Sequence, residues 1–213
     1  MGVKMNTINY QSFSAKEIEK TPYYWGLQNN LIQVDIQPLL VNQFPKEGFT
    51  KTSRLEGDGK HYQFEVLNLI QSNEICDSLY HLSPTWQNFI KELASSAYIN
   101  NLAKYIQRDL DGLRLDIGLF RFNENDWVDI HIDRKDKILT QLFYFNDYWQ
   151  EDWGGDLYIL SEANLKSVLA KVKPLVSHSA TIVRTDNAWH YVSPISNKAE
   201  VPRLSLQLEI IAH

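Results

Sequence analysis

Cysteine is nearly missing from this chain. Its 213 residues hold one, Cys76, so no disulfide can form within it, and an unpaired thiol without an export signal is the ordinary cytosolic state. Long apolar runs are missing too: no stretch approaches the ~18–20 apolar residues of a bilayer-crossing helix. The N-terminus lacks the basic-then-apolar pattern of a signal peptide. We therefore expect a cytoplasmic protein with no membrane partner. The opening "MGVKMN" carries a second Met at position 5, and the residues before it are expected to be an expression remnant. Positive charge is in deficit: 21 Lys and Arg against 26 Asp and Glu leave a formal charge of −5. With no basic run to follow a phosphate backbone, no nucleic-acid partner is expected. Repeats and low-complexity segments are absent, and nothing indicates an oligomeric state.

What is present suits one globular domain over residues 1–213, with 44% apolar residues to build a core. The spacing predicts a helix over 83–110. Ser83 caps it and Pro84 takes its first position. Trp86, Phe89, Ile90 and Leu93 form a packing stripe that Ile99, Leu102 and Ile106 continue. After Gly112 the pattern becomes short strands: 113–122, 127–133, 137–146, 155–160, 170–177, 179–184, 189–195 and 203–212. Turn-forming pieces such as "NEND", "EDWGG" and "SNKAEVP" separate several of them. The fold class is mainly β with flanking helices, a closed or sandwiched β core over 113–213 backed by a mixed helical support region over 1–112. The segment 161–169 reads as a helical turn or a loop. The charged, glycine-containing stretch 45–60 reads as an exposed loop, more a connector than a lid.

The chemistry begins at "HID". Residues i and i+2 of a strand face the same side, so His131 and Asp133 project together. Such groups are costly to bury unpaired. The pair suits two adjacent corners of a metal, or a hydrogen-bonded pair at a surface strand end. A third ligand has three later candidates. His178 sits in an apparent tight turn, His213 ends the chain, and His190 sits in the β-type segment "WHYVSPI", which makes it the best choice. His61 and His81 lie outside the β region and read as ordinary histidines. Two His and one carboxylate with open positions form the facial triad of non-haem Fe(II) oxygenases, whereas zinc on the same ligands points to hydrolysis.

The last strand, "RLSLQLEI", bears on that choice. Leu204, Leu206, Leu208 and Ile210 alternate with Arg203, Ser205, Gln207 and Glu209. The polar face looks either at water or into a pocket beside the metal. In a pocket, Arg203 is a fork that takes a carboxylate by two hydrogen bonds, and Ser205 adds a third. Ile138, Thr140, Leu142 and Tyr144 share one face of "ILTQLFYFN". There Tyr144 either offers its hydroxyl to that carboxylate or is a core aromatic.

In order, His131-x-Asp133, "LFYFNDYW", "WGGDLYIL", "WHYVSPI" and "RLSLQLEI" resemble the prolyl-4-hydroxylase type of 2-oxoglutarate/Fe(II)-dependent dioxygenases. They look most like the hypoxia-inducible-factor and ribosomal prolyl hydroxylases. The resemblance covers about residues 113–212 and implies a double-stranded β-helix (jelly roll, cupin-like). It implies Fe(II), 2-oxoglutarate and O2 as cofactors and leaves ascorbate open as an auxiliary reductant. It assigns the metal to His131, Asp133 and His190, and the far carboxylate of 2-oxoglutarate to Tyr144 and Arg203. Two features depart from it. Arg203 lies 13 residues past His190, further than in several close members, with the loop "SNKAEVP" absorbing the difference. Arg121 stands where relatives often carry an aromatic, and either contacts cosubstrate or substrate or pairs with an acid such as Asp126.

The implied reaction is hydroxylation of an unactivated C–H, coupled to oxidative decarboxylation of 2-oxoglutarate to succinate and CO2. A carboxylate at position 133 argues against halogenation, which needs a vacant metal position. The expected substrate is an amino-acid unit, peptidyl, free or carrier-bound. The alternatives are a non-amino-acid natural-product intermediate (hydroxylated, desaturated or cyclised), a non-catalytic β-barrel binding module, and a zinc hydrolase. Trp127, Tyr148, Trp149, Trp153 and Trp189 read as barrel core rather than a substrate wall.

Overall fold

The structure, a computed structural model, describes residues 6–213, so the expected N-terminal remnant lies outside it. Short elements open the chain: α1 (Ser12–Ala15), β1 (Trp25–Asn29), α2 (Gln37–Asn42), β2 (Thr50–Arg54), β3 (Tyr62–Gln71), β4 (Glu74–Ile75) and α3 (Asp77–Tyr80). Two longer helices follow, α4 (Pro84–Leu93) and α5 (Ser96–Ile106). Eight strands then complete the chain: β5 (Arg114–Phe122), β6 (Trp127–His131), β7 (Lys137–Tyr144), β8 (Leu157–Leu160), β9 (Val168–Val172), β10 (His178–Val183), β11 (His190–Val192) and β12 (Arg203–Ile211).

The single helix expected over 83–110 is two helices. Ser83 caps the first by accepting a hydrogen bond from the Trp86 amide, with Pro84 next to it. At the break, Ser95 accepts from the Tyr98 amide at 3.3 Å and starts the second. A serine inside an apolar stripe thus acts as a cap, its hydroxyl competing for backbone donors. The stripe holds: Trp86, Phe89, Ile90, Leu93, Leu102 and Ile106 are all buried.

All twelve strands join one sheet, in the order β1-β10-β7-β12-β5-β3-β6-β11-β8-β9 with β2 and β4 added alongside β3. It curls into the expected jelly roll and so makes two cores. The outer face packs under the helices through Leu115, Ile117 and Leu119 of β5 and Leu206, Leu208 and Ile210 of β12. The inner face encloses Phe122, Leu142, Tyr144, Leu157, Ile159 and Ile182. β1–β4 go beyond the expected front half. β1 pairs with β10, and β3 bridges β5 and β6. Residues 50–54, inside the expected loop 45–60, pair with β3 as β2.

Candidate active site

β6 and β11 are antiparallel neighbours in which His131 and His190 are direct partners. Their rings lie tilted at 55° to each other with centroids 4.1 Å apart. Asp133 follows two residues after His131, just past the strand. The three side chains converge, with one ligand atom from each lying within 4.8 Å of the others. All three are buried, at 8%, 9% and 6% exposure.

Backbone carbonyls set the imidazoles. His131 Nδ1 lies 2.8 Å from the Asp129 carbonyl and His190 Nδ1 2.9 Å from that of Ala188. A carbonyl only accepts, so each Nδ1 carries the hydrogen and each Nε2 keeps its lone pair free for a metal. Asp133 is braced at both oxygens. Lys137 donates to Oδ1 at 3.0 Å and Thr140 to Oδ2 at 2.8 Å, while Glu209 takes the other side of Lys137 at 2.7 Å.

Burial pushes the His190 pKa down to about 3, helped by His131, with Asp133 opposing. Burial lowers His131 in the same way. Burial alone would raise the Asp133 carboxyl, but the Lys137 ammonium and the two imidazoles outweigh it and hold Asp133 well below the usual carboxylate range. At neutral pH the site therefore offers two neutral imidazoles and one carboxylate, the protonation state a divalent cation requires. This donor set fits Fe(II) in a facial arrangement.

Lys137 reaches the site through a register shift. Strict alternation with Tyr144 points Ile138 inward. A slip between Ile210 and Ile211 instead pairs Ile211 with Lys137 and re-aims that lysine at Asp133. Lys137, Thr140 and Glu209 are contacts that motif reading missed. Thr140 was placed on the face of Tyr144 without a role, and a bulge has no sequence signature that would have exposed Lys137.

A cavity of about 440 Å³ opens onto the triad. Tyr62, Phe64 and Phe120 form its aromatic wall, and Leu142 and Gln207 stand on its inner side. Two residues further along the same faces, Tyr144 pairs with Ser205, and Arg203 follows. Arg203 is 1% exposed and lies over Phe122 and Tyr144, at 4.7 and 5.1 Å from the ring centres. Its Nε donates to the Gly155 carbonyl at 2.8 Å and its Nη1 to Ser205 Oγ at 3.0 Å. Its Nη2, the Tyr144 hydroxyl and Asp156 Oδ1 are buried with no hydrogen-bond partner. Buried polar atoms are costly to leave unpaired. Two buried donors, on the neighbouring Arg203 and Tyr144, thus lack an acceptor, a need that a carboxylate could meet. Burial pushes the Tyr144 pKa up to about 12, against the pull of the guanidinium, so the phenol remains a donor.

The other candidates lie elsewhere. Arg121 shares the outer face of β5 with Leu119, opposite the cavity-lining Phe120. It pairs with Glu65, donates to the Lys46 carbonyl at 2.8 Å and stacks on Phe49. Its partner is not Asp126, which braces a turn by accepting from Gln63 and the Asn123 amide. His178 is held by the Lys173 carbonyl, His213 contacts the Gly112 carbonyl, and His61 pairs with Asp129. Trp149 and Trp153 are buried in the inner core and Tyr148 is exposed. Trp127 and Trp189 are only half-buried, so the core reading holds for two of the five aromatics, and none of the five lines the cavity.

Comparison with known proteins agrees with this geometry. Residues 117–208 match the family model of the 2OG-Fe(II) oxygenase superfamily. No curated protein matches the chain. Among solved structures, a Pseudomonas putida prolyl-4-hydroxylase aligns with TM-score 0.63 at 14% identity, over 96% of this chain and 98% of that one. A Trichoplax adhaerens prolyl hydroxylase, in complex with a hypoxia-inducible-factor oxygen-degradation-domain peptide fragment, aligns with TM-score 0.61 at 15% identity, over 88% and 83%. A 2OG-Fe(II) oxygenase-family oxidoreductase from Burkholderia pseudomallei aligns with TM-score 0.56 at 12% identity, over 83% and 77%. At these identities the solved structures establish the fold.

Proposed function

We propose, from the match of residues 117–208 to the 2OG-Fe(II) oxygenase family model, that this chain is a 2-oxoglutarate-dependent dioxygenase that hydroxylates an unactivated C–H of an amino-acid unit, whether free, peptidyl or carrier-bound. His131, Asp133 and His190 would hold the Fe(II), and Arg203, Tyr144 and Ser205 the far carboxylate of 2-oxoglutarate. The bound iron, 2-oxoglutarate and O2 supply the oxidising power, with succinate and CO2 as coproducts.

The chain's own groups do the rest. The two carbonyls fix the imidazole tautomers, and Lys137 with Thr140 orients the carboxylate. The observation that carries the reading is the convergence of the three ligand atoms within 4.8 Å, on a cavity whose lining pair Leu142 and Gln207 lies two rungs from Tyr144 and Ser205, next to an unpaired guanidinium N–H and phenol. An amino-acid unit is favoured by the size and aromatic lining of the cavity, and it is the chemistry of the peptide held by the Trichoplax relative. The test is mass spectrometry on a panel of amino acids and peptides incubated with Fe(II), 2-oxoglutarate and air. A product heavier by one oxygen, formed with succinate, supports the reading. Succinate without any oxygenated member of the panel removes the amino-acid assignment.

A further inference from the structure

Lys60 stands in the turn between β2 and β3, beside the cavity that holds the triad. The turn is not free to swing. His61 Nε2 lies 2.8 Å from the Gly57 carbonyl, His61 Nδ1 lies 3.1 Å from Asp129 Oδ2, and the Asp129 amide donates to the His61 carbonyl at 2.9 Å. Arg54 donates to the Asp58 carbonyl. Lys60 is thereby tied to β6, the strand that carries His131.

Its ammonium lies 5.3 Å from the centre of the Tyr62 ring and, among the described residues, forms no ion pair. The charges it faces are Asp133, Glu209, Lys137 and Arg134. Both acids are already engaged: Lys137 bridges Asp133 and Glu209, and Thr140 takes the other oxygen of Asp133. Arg54 and Arg134 add positive charge at the rim. The cavity wall thus carries four cations (Arg54, Lys60, Arg134 and Lys137) against two committed carboxylates, in a chain whose net charge is −5. A half-buried ammonium with no counter-ion, beside an aromatic wall, is a receptor for an anion.

Building on the proposed function, we propose that the substrate bears a carboxylate and that Lys60 is the specificity-determining residue that receives it. The carboxylate belongs either to a free amino acid or to an acidic side chain of a peptide.

The experiment uses the full chain with Fe(II) and 2-oxoglutarate, as wild type, Lys60→Met and Lys60→Arg. Its probes are the twenty free amino acids, their carboxamides, and end-blocked tripeptides with and without Asp or Glu. Succinate release is followed, and 2-oxoglutarate affinity is measured separately without oxygen. We expect at least one free acid, or one acidic blocked peptide, to stimulate succinate release where its uncharged counterpart does not; which of the two responds identifies the source. Lys60→Met should then raise KM by roughly 10- to 150-fold, the worth of one charge-assisted bond, with a smaller change in kcat. Lys60→Arg should restore most of the affinity. Equal stimulation by acid and amide, stimulation by no acid, or an unchanged KM in Lys60→Met would overturn the proposal. So would a loss in Lys60→Met of 2-oxoglutarate affinity alone. Succinate formation by the wild type separates the two readings: succinate formed without substrate, or equally with acids and amides, keeps the oxygenase reading when carboxylate selection fails, and no succinate under any condition defeats the oxygenase reading itself.

Discussion

Replacing Arg203 with lysine should weaken 2-oxoglutarate and leave the metal in place. The native guanidinium spends Nε on the Gly155 carbonyl and Nη1 on Ser205, and holds Nη2 unpaired beside the unpaired Tyr144 hydroxyl. A lysine cannot make the two fixed bonds and also present a donor in the same plane, because its ammonium is a point charge on a flexible stem. Losing one charge-assisted bond to the far carboxylate costs ~1.5–3 kcal/mol, or about 10- to 150-fold in dissociation constant. Freeing the Gly155 carbonyl in a buried site adds ~1–3 kcal/mol of lost stability. The assay is anaerobic titration of the Fe(II)-loaded protein with 2-oxoglutarate, followed by its visible charge-transfer absorption, alongside a metal titration and a urea melt. A folded Arg203→Lys protein whose 2-oxoglutarate affinity stays within about twofold of wild type, well inside the loss expected for one such bond, would refute this role for Arg203. It is equally refuted if metal affinity falls as steeply as cosubstrate affinity, since Arg203 does not touch the triad.

Gly155→Ala should act on the same pocket from behind. A Cβ there would stand 2.5 Å from Ile195 Cδ1 and 3.2 Å from Arg203 Cδ, at φ +69°. We expect ~1–3 kcal/mol of destabilisation and weaker 2-oxoglutarate binding, read by a urea melt and a cosubstrate titration; no change in either would show that the guanidinium does not depend on this backbone. Asp133→Ala should abolish succinate formation while the fold survives, because Lys137 keeps Glu209 at 2.7 Å; retained turnover in a circular-dichroism-normal variant would remove Asp133 from the metal. Stability of the metal-free protein should fall with pH below ~6.5, the ordinary histidine value. His190 stays neutral in the fold down to about 3, so between those values the unfolded chain binds more protons and stability rises with pH, by at most ~1.4 kcal/mol per unit for one group. Urea midpoints of wild type and His190→Gln between pH 5.5 and 7 check this, and equal slopes would contradict it.

Alternation and turn residues made the strands after Gly112 legible, and they also separated the two faces of β12. The four leucine and isoleucine positions face the helices, and Arg203 and Ser205 face inward. His190 was legible because it sits in an extended segment two residues before a valine that also lies inside the roll, whereas His178 is claimed by a backbone carbonyl. Arg121 was harder to place because β5 is bulky on both sides, with Leu119 outward and Phe120 and Phe122 inward, so composition does not set its phase. β3 was missed because its alternation, clean from Tyr62 to Val66, changes phase at the adjacent Val66 and Leu67 and is broken again by the irregular pairing between Asn68 and Ile70. Lys137 enters the site through a slip in pairing, which depends on its neighbour β12 and not on its own segment. The cavity's aromatic wall comes from β3 and β5 rather than from the tryptophans near the motifs, since Trp149 and Trp153 are taken up by the inner core.

The most direct measurement is anaerobic reconstitution of the purified protein with one equivalent of Fe(II) and then 2-oxoglutarate, followed by admission of air. If His131, Asp133 and His190 hold one ferrous ion that receives the diacid, a visible charge-transfer band appears only when both are present. It saturates at one iron per chain, is lost in His190→Ala, and decays in air as succinate accumulates. A spectrum indifferent to 2-oxoglutarate, or succinate formation that survives His190→Ala, would contradict the account.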